Sequence, residues 1–394
     1  MAVESHQLSS LLTNQLERLN INRLLQPLVK RVPVLAKILA AIAALPGLIV
    51  LYGFPFTSAI LLMQLPQRLS AATTIIDWVY FATSLLAILL CSWMTWLIIR
   101  TPLNPPHGLA LDHTSAPALL DLIDELENHY GRACIHSVVL RSDFDIQLVR
   151  TPRFGLPILT NNTLTIGLPL LLSLPPSHFK ALLARRIGQA SGKHNRVSGW
   201  FYQLKSIWRT YRDSYARQKN PAIRFLGVFF KFYVPFYERL ALFALREDEL
   251  EADRYALELV NDRDMAGVLS QEIITRRFLQ QKYWPKIKQL VRRGEGSNYA
   301  PFRQMSSVVQ KSLNADEARN SLMAAINEPD KLKSTTPPLK SRLDNIGHQK
   351  PGAPTPLNEI AATEYIETTT LTKIIDKLDQ RWLKQQQQRA AIRN

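Results

Sequence analysis

Two apolar stretches near the start of this 394-residue chain limit its possible folds more than any other feature. The first, ILAAIAALPGLIVLYGFPFTSAILLM from Ile38 to Met63, contains no charged residue. The second, about Ala72 to Ile99, carries only Asp77 near its beginning. Roughly 20 apolar residues suffice to cross a hydrocarbon core, and the apolar region of a cleaved signal is shorter. Both stretches therefore predict retained membrane helices, with kinks at Pro46 and Pro55. The alternative is a buried helical hairpin of a soluble protein. Arg18, Arg23, Lys30, Arg31 and Lys37 precede the pair and Arg100 follows it, whereas the connection from Gln64 to Ser70 offers only Arg68. That bias places the N-terminus and the main domain in the cytoplasm, and in a bacterium at the inner membrane.

Charge and cysteine usage narrow the classes further. The net charge of +16 predicts attraction to polyanions, either nucleic acid or anionic membrane lipids. With a membrane anchor in place, lipid headgroups are the simpler partner. Cys91 and Cys134 are the only cysteines, which excludes a disulfide framework and a cysteine-based zinc site.

The pattern divides the chain into five parts. Residues 1–37 form an N-terminal cytoplasmic segment with an amphipathic, leucine-rich pattern, and 38–100 form the two-helix anchor. Residues 101–117 are a Pro-rich linker, 118–348 the main domain, and 349–394 a linker with a basic C-terminal helix. In the domain, ALLDLIDELENHYG sets Leu119, Leu122, Ile123 and Leu126 at helical spacing, with Gly131 as the stop. Strand patterning follows in IHSVVL, DIQLVR and GLPILTNNTLTIG, with Asn161 and Asn162 read as turn residues. Beyond Leu168 almost everything reads as helix. The fold class is α+β, predominantly α-helical, with a small β-sheet behind two N-terminal transmembrane helices. A third apolar stretch, Phe225 to Leu245, holds Lys231, Pro235, Glu238 and Arg239. Charges at mid-membrane depth are costly, so a bent amphipathic helix pair is preferred there to a further span.

Candidate chemistry lies in ALLARRIGQASGKHNR, in REDELEADRYALELV and in STTPPLKSRLDNIG. Together these blocks resemble the HtpX-like membrane zinc metallopeptidases, family forty-eight of the metallopeptidases, over about residues 115–348. The resemblance implies a gluzincin-like domain, a zinc cofactor in active relatives and a role in membrane protein quality control. In the family, an HExxH helix supplies two His ligands and a Glu that activates water. Here Arg185 stands at the first His, Arg186 at the Glu and Gln189 at the second His. Glu249 stands at the third metal ligand, Asp253 is retained, and Thr336 stands where the family has a substrate-holding His.

Arginine cannot be deprotonated in a protein and cannot ligate a cation. No catalytic residue is intact, and no zinc, other cofactor or hydrolysis is expected. The resemblance then implies a pseudopeptidase acting by protein or peptide binding. The alternatives are a metallopeptidase with atypical ligands or completed by a partner, and a purely structural membrane protein. An orphaned Glu249 carboxylate would need a cation, so a bridge from Arg185 or Arg186 is expected. The plainer reading of each helix is a solvated face with local ion pairs, and His194 reads as a surface residue or a remnant. Lys205–Lys219 and Lys282–Arg293 interleave basic and aromatic residues; helices with one apolar and one basic face are preferred to a nucleic-acid surface.

Overall fold

The computed structural model describes residue 27 and residues 33–391, apart from 132–133, 156, 158, 192–195, 294–298, 331–333, 349 and 353–356. The expectations for His194 and for most of the N-terminal amphipathic segment lie outside the described residues.

Helices α1 (Pro33–Ser70) and α2 (Ile75–Arg100) form an antiparallel hairpin, and both are long and apolar enough to cross a membrane. Pro46, Pro55 and Pro66 lie inside α1. Thr74 starts α2 with a reciprocal cap in which its hydroxyl accepts from the Asp77 N–H and Asp77 accepts from the Thr74 N–H. The one acid of this stretch therefore sits at a helix start, where the exposed N–H groups favour a carboxylate. Much of the hairpin surface is exposed and apolar, including Phe56, Ile60, Met63, Trp78, Leu86 and Leu90. Such a surface is compatible with membrane association.

The first half of α1 is also part of the domain. Ala40, Ala43, Ala44 and Leu51 are buried against α6 (Arg196–Tyr215) and α7 (Pro221–Leu240), in a core completed by Leu97 and Ile98 of α2. Small residues on α1 let the backbones approach: a Cβ on Gly47 would lie 2.6 Å from the Tyr233 ring. Tyr233 donates from its hydroxyl to the Ala43 carbonyl at 2.8 Å. The aromatic half of α6 faces inward, where Trp208 and Tyr211 stack with Phe230 and Tyr215 meets it edge-to-face. The stretch Phe225–Leu245 is thus two helices, α7 and α8 (Leu242–Ala256), meeting at Ala241.

A second core lies around a mixed sheet of order β1-β2-β4-β3. Its strands are β1 (Leu109–Leu111), β2 (Ile135–Arg141), β3 (Ile146–Pro152) and β4 (Thr160–Gly167), which runs directly into the short helix α4 (Leu168–Ser173). β2 and β4 run parallel, while β1 and β3 pair antiparallel at the two edges. Val138, Leu140, Leu164 and Ile166 bury one stretch of the central strands against α3 (Pro117–Tyr130) and α5 (Pro176–Ser191). Leu119, Leu122, Ile123 and Leu126 form the buried stripe of α3, and Gly131 leaves the helix at φ 89°, a conformation open to glycine.

Two readings need correction. Asn161 and Asn162 are strand residues within β4, paired with Thr151 and Arg150, and the chain turns earlier, after Pro152. Their turn propensity is overridden because the Asn162 side chain is satisfied locally, accepting from the Thr160 hydroxyl and donating to the Cys134 carbonyl. The segment read as linker, 101–117, contains β1, whose Leu109 pairs with Leu140.

Past α8 the chain is helical: α9 (Asp262–Phe278), a π-turn (Leu279–Tyr283), α10 (Trp284–Arg292), α11 (Pro301–Ser312), α12 (Ala315–Ile326), α13 (Leu339–Asn345), α14 (Ala361–Tyr365) and α15 (Thr368–Ala391). The basic tail helix α15 docks on the domain. Trp382 packs 5.8 Å from the Trp284 ring, and Asp379 accepts from the Phe302 and Arg303 N–H groups at the start of α11.

Candidate functional site

The site lies where α5 crosses α8. Arg185 and Gln189 are one turn apart and share a face of α5, as Glu249 and Asp253 share a face of α8. Gly188 brings the helices together, since a Cβ there would lie 2.6 Å from the Tyr255 Cβ and 2.7 Å from its Cγ. The four side chains on the facing surfaces are buried.

Charge pairs fill the crossing. Arg185 donates from Nη2 to Glu249 Oε2 at 2.5 Å and from Nε to Asp253 Oδ1 at 2.6 Å. Arg186 donates from Nη1 to Glu249 Oε1 at 2.9 Å and to Gln189 Oε1 at 2.8 Å. Each oxygen of Glu249 therefore accepts from a different guanidinium. Gln189 in turn donates from Nε2 to Asp248 Oδ2 at 2.5 Å. The bridge expected between Glu249 and Arg185 or Arg186 is present, and both arginines take part.

Residues distant in sequence complete the network. Arg342 of α13 grips Asp253 in a fork, Nε to Oδ2 at 2.9 Å and Nη2 to Oδ1 at 2.8 Å. Its remaining nitrogen reaches Glu272 Oε2 on α9 at 3.4 Å, and Glu272 also pairs with Arg276 at 2.9 Å. The sequence signal for Arg342 was only its place in the Leu-Lys-Ser-Arg-Leu run, and Glu272 showed itself only as an i,i+4 partner of Arg276. Asp253 pairs with both Arg185 and Arg342.

The charges set the protonation states. Burial pushes the Glu249 carboxyl up, but Arg186, Arg185 and Lys205 outweigh it and hold the group well below the usual carboxylate range. Glu272 is likewise buried yet held at about 2 by Arg342 and Arg276. Asp248 lacks a comparable cation, so burial dominates and raises it to about 7, partly offset by the Gln189 bond.

A cleft of about 530 Å³ opens in front of the network. Its walls are Asn104–His107, β3, α6 and Thr335–Thr336, with Arg186 and Glu249 at its floor. Thr336 is exposed at the rim, and its N–H bonds Ser334 Oγ at 3.2 Å. Its neighbour Thr335 makes the polar contact across the cleft, accepting from Lys205 Nζ at 3.0 Å.

These residues do not fit a zinc ion. The space between the Glu249 and Asp253 carboxylates is taken by a guanidinium within bonding distance of both, and the α5 face that approaches Glu249 carries cations instead of imidazoles. The arrangement holds two helices and α13 in register through a fully paired ionic cluster, beside an open polar cleft. Comparison of the chain with protein-family models, with curated proteins and with solved structures finds no match in any of the three.

Proposed function

We propose that the chain is a membrane-anchored pseudopeptidase of the HtpX-like, gluzincin type, in which an arginine–carboxylate cluster replaces the zinc site. One observation carries the reading. The positions that the family resemblance assigns to the metal ligands and base, Arg185, Arg186, Gln189 and Glu249, converge at one helix crossing and are bonded to one another or to Asp253 and Asp248. Arg185 and Glu249 lie 64 positions apart, and their meeting at one crossing supports the motif assignment. The cleft beside them stays open, which favours a role in binding a protein or peptide over a purely structural one. In this reading the domain lies on the cytoplasmic side, at the inner membrane of a bacterium, in contact with anionic lipid.

Metal content and proteolysis of the purified full chain test the proposal. The native protein is expected to hold no stoichiometric zinc and to cleave no unfolded substrate. The combined replacement Arg185→His, Arg186→Glu and Gln189→His, with Thr336→His as a further step, is expected to gain zinc. Stoichiometric zinc with chelator-sensitive cleavage in the native chain would overturn the reading in favour of an active enzyme with atypical ligands. Peptide crosslinks that map to the cleft walls support binding, and their absence across a library of unfolded substrates favours the structural alternative.

A further inference from the structure

The cleft is lined by more cations than acids: Arg141, Arg186, Lys205, Arg209, Arg212 and Arg217 against Asp145, Asp213 and Glu249. Several of these cations are already matched. Arg186 pairs with Glu249, Arg209 with Glu238 at 2.6 Å, and Arg212 with Asp213 at 2.8 Å. Lys205 is different. Among the described residues no carboxylate lies within ion-pair distance of its Nζ, which meets only Thr335 Oγ1 at 3.0 Å and the Tyr202 ring at 5.3 Å. The side chain is nonetheless buried, with 8% of the residue exposed. An ammonium group held out of water with no carboxylate in contact is unfavourable. Burial, with Arg209 close by, pushes Lys205 down to about 8, and the more distant Glu249 and Glu238 offset this only in part.

We propose that this cleft binds a phosphate group, with Lys205 as the charge that anchors it and the Thr335 hydroxyl beside it. Phosphate suits the site because cations line several walls, from β2, α5 and α6, and its oxygens can accept from several sides at once. The volume, about 530 Å³, admits a headgroup-sized phosphate ester as well as the free ion. One wall is Asn104–His107, which begins four residues beyond the end of α2 at Arg100. That position lies where the headgroups of a bilayer crossed by α2 would be, so the phosphate can belong to an anionic phospholipid or to a soluble phosphate ester. The inference goes beyond the pseudopeptidase reading and uses none of the family resemblance.

The experiment uses the full chain in neutral detergent and in phosphatidylcholine nanodiscs. Inorganic phosphate and glycerol phosphate are titrated at constant ionic strength against chloride, with thermal stability as the readout. The nanodisc arm compares discs with and without phosphatidylglycerol. Saturable stabilisation is expected in the native chain. Lys205→Gln is expected to weaken it at least about tenfold, or ~1.4 kcal/mol, while Lys205→Arg keeps most of it. A response to the soluble ions assigns a soluble ester, and a response to phosphatidylglycerol alone assigns the lipid. As a second readout that needs no variant, the same ligands are expected to slow acylation of Lys205 in the native chain, measured by mass spectrometry. No saturable response in either arm overturns the proposal. So does a response that is unchanged in Lys205→Gln with Lys205 acylation unprotected. Neither result bears on zinc content, so failure here and failure of the pseudopeptidase reading are separable.

Discussion

Arg185→Met removes the central cation of the cluster, and its cost follows from the bonds it makes. The side chain is 3% exposed and gives two charge-assisted bonds, at 2.5 Å to Glu249 and 2.6 Å to Asp253. Removing one partner of a buried ion pair costs roughly 3–5 kcal/mol, because the remaining charge stays buried. Here each carboxylate keeps a second cation, Arg186 on Glu249 and Arg342 on Asp253, so the low end applies. Methionine fills most of the vacated volume, which limits the cavity contribution. The expected loss is about 3 kcal/mol, more than a hundredfold in the folding equilibrium. Adding Glu249→Gln to Arg185→Met removes the carboxylate charge that lost one of its two cations while retaining an acceptor for Arg186. The double variant is therefore expected to recover about 1–2 kcal/mol of the sum of the single losses, a coupling typical of contacting groups. Denaturant unfolding of the detergent-solubilised chain, followed by tryptophan fluorescence, measures all three variants. A loss below about 0.5 kcal/mol for Arg185→Met, or strict additivity in the double variant, would refute the claim that these groups neutralise each other in the interior.

Two further outcomes test the packing and the buried titrations. Gly188→Ala places a methyl group 2.6 Å from the Tyr255 Cβ, so α5 and α8 must separate, and a loss of about 1–3 kcal/mol is expected in the same unfolding assay. A neutral result would show that the crossing is loose. Burial holds His178 down at about 4, against an ordinary 6.5, and no hydrogen bond reaches its Nδ1. Below pH 6.5 the unfolded chain gains a proton that the folded chain refuses until about 4, so stability falls across that window and levels off beneath it. By linkage the difference amounts to about 3 kcal/mol. Asp248, raised to about 7 from 3.8, acts in the opposite sense across the whole of that window. The His178 contribution is therefore read as the difference between the native chain and His178→Leu, which is expected to vanish above pH 7.

The amphipathic patterns carried much of the fold. The stripe of α3, its stop at Gly131 and the start of α5 at Pro176 follow from spacing and from the backbone limits of glycine and proline. Charge reasoning also reached part of the site. A buried carboxylate at Glu249 demanded a cation, and the family resemblance, not any helical register, offered Arg185 and Arg186 as its partners. Local propensity misled at Asn161 and Asn162, where pairing across the sheet outweighed the residues' preference for turns. It also gave no signal for β1, three residues whose strand character comes from pairing with Leu140 and its neighbours.

What the sequence determined by itself is the part set by neighbours along the chain: which segments are helical, which face of each is apolar, and that the α5 helix carries two adjacent arginines one turn before a glutamine. The tertiary structure alone decided which charges meet. Arg342 reaches Asp253 across 89 residues, and Lys205 reaches Thr335 across 130. No periodicity encodes such a distance, because bonds between separate elements depend on how helices cross and how closely Gly188 lets them approach. The same packing left Lys205 buried with no carboxylate in contact among the described residues, a consequence of burial and geometry that a string of residues does not contain.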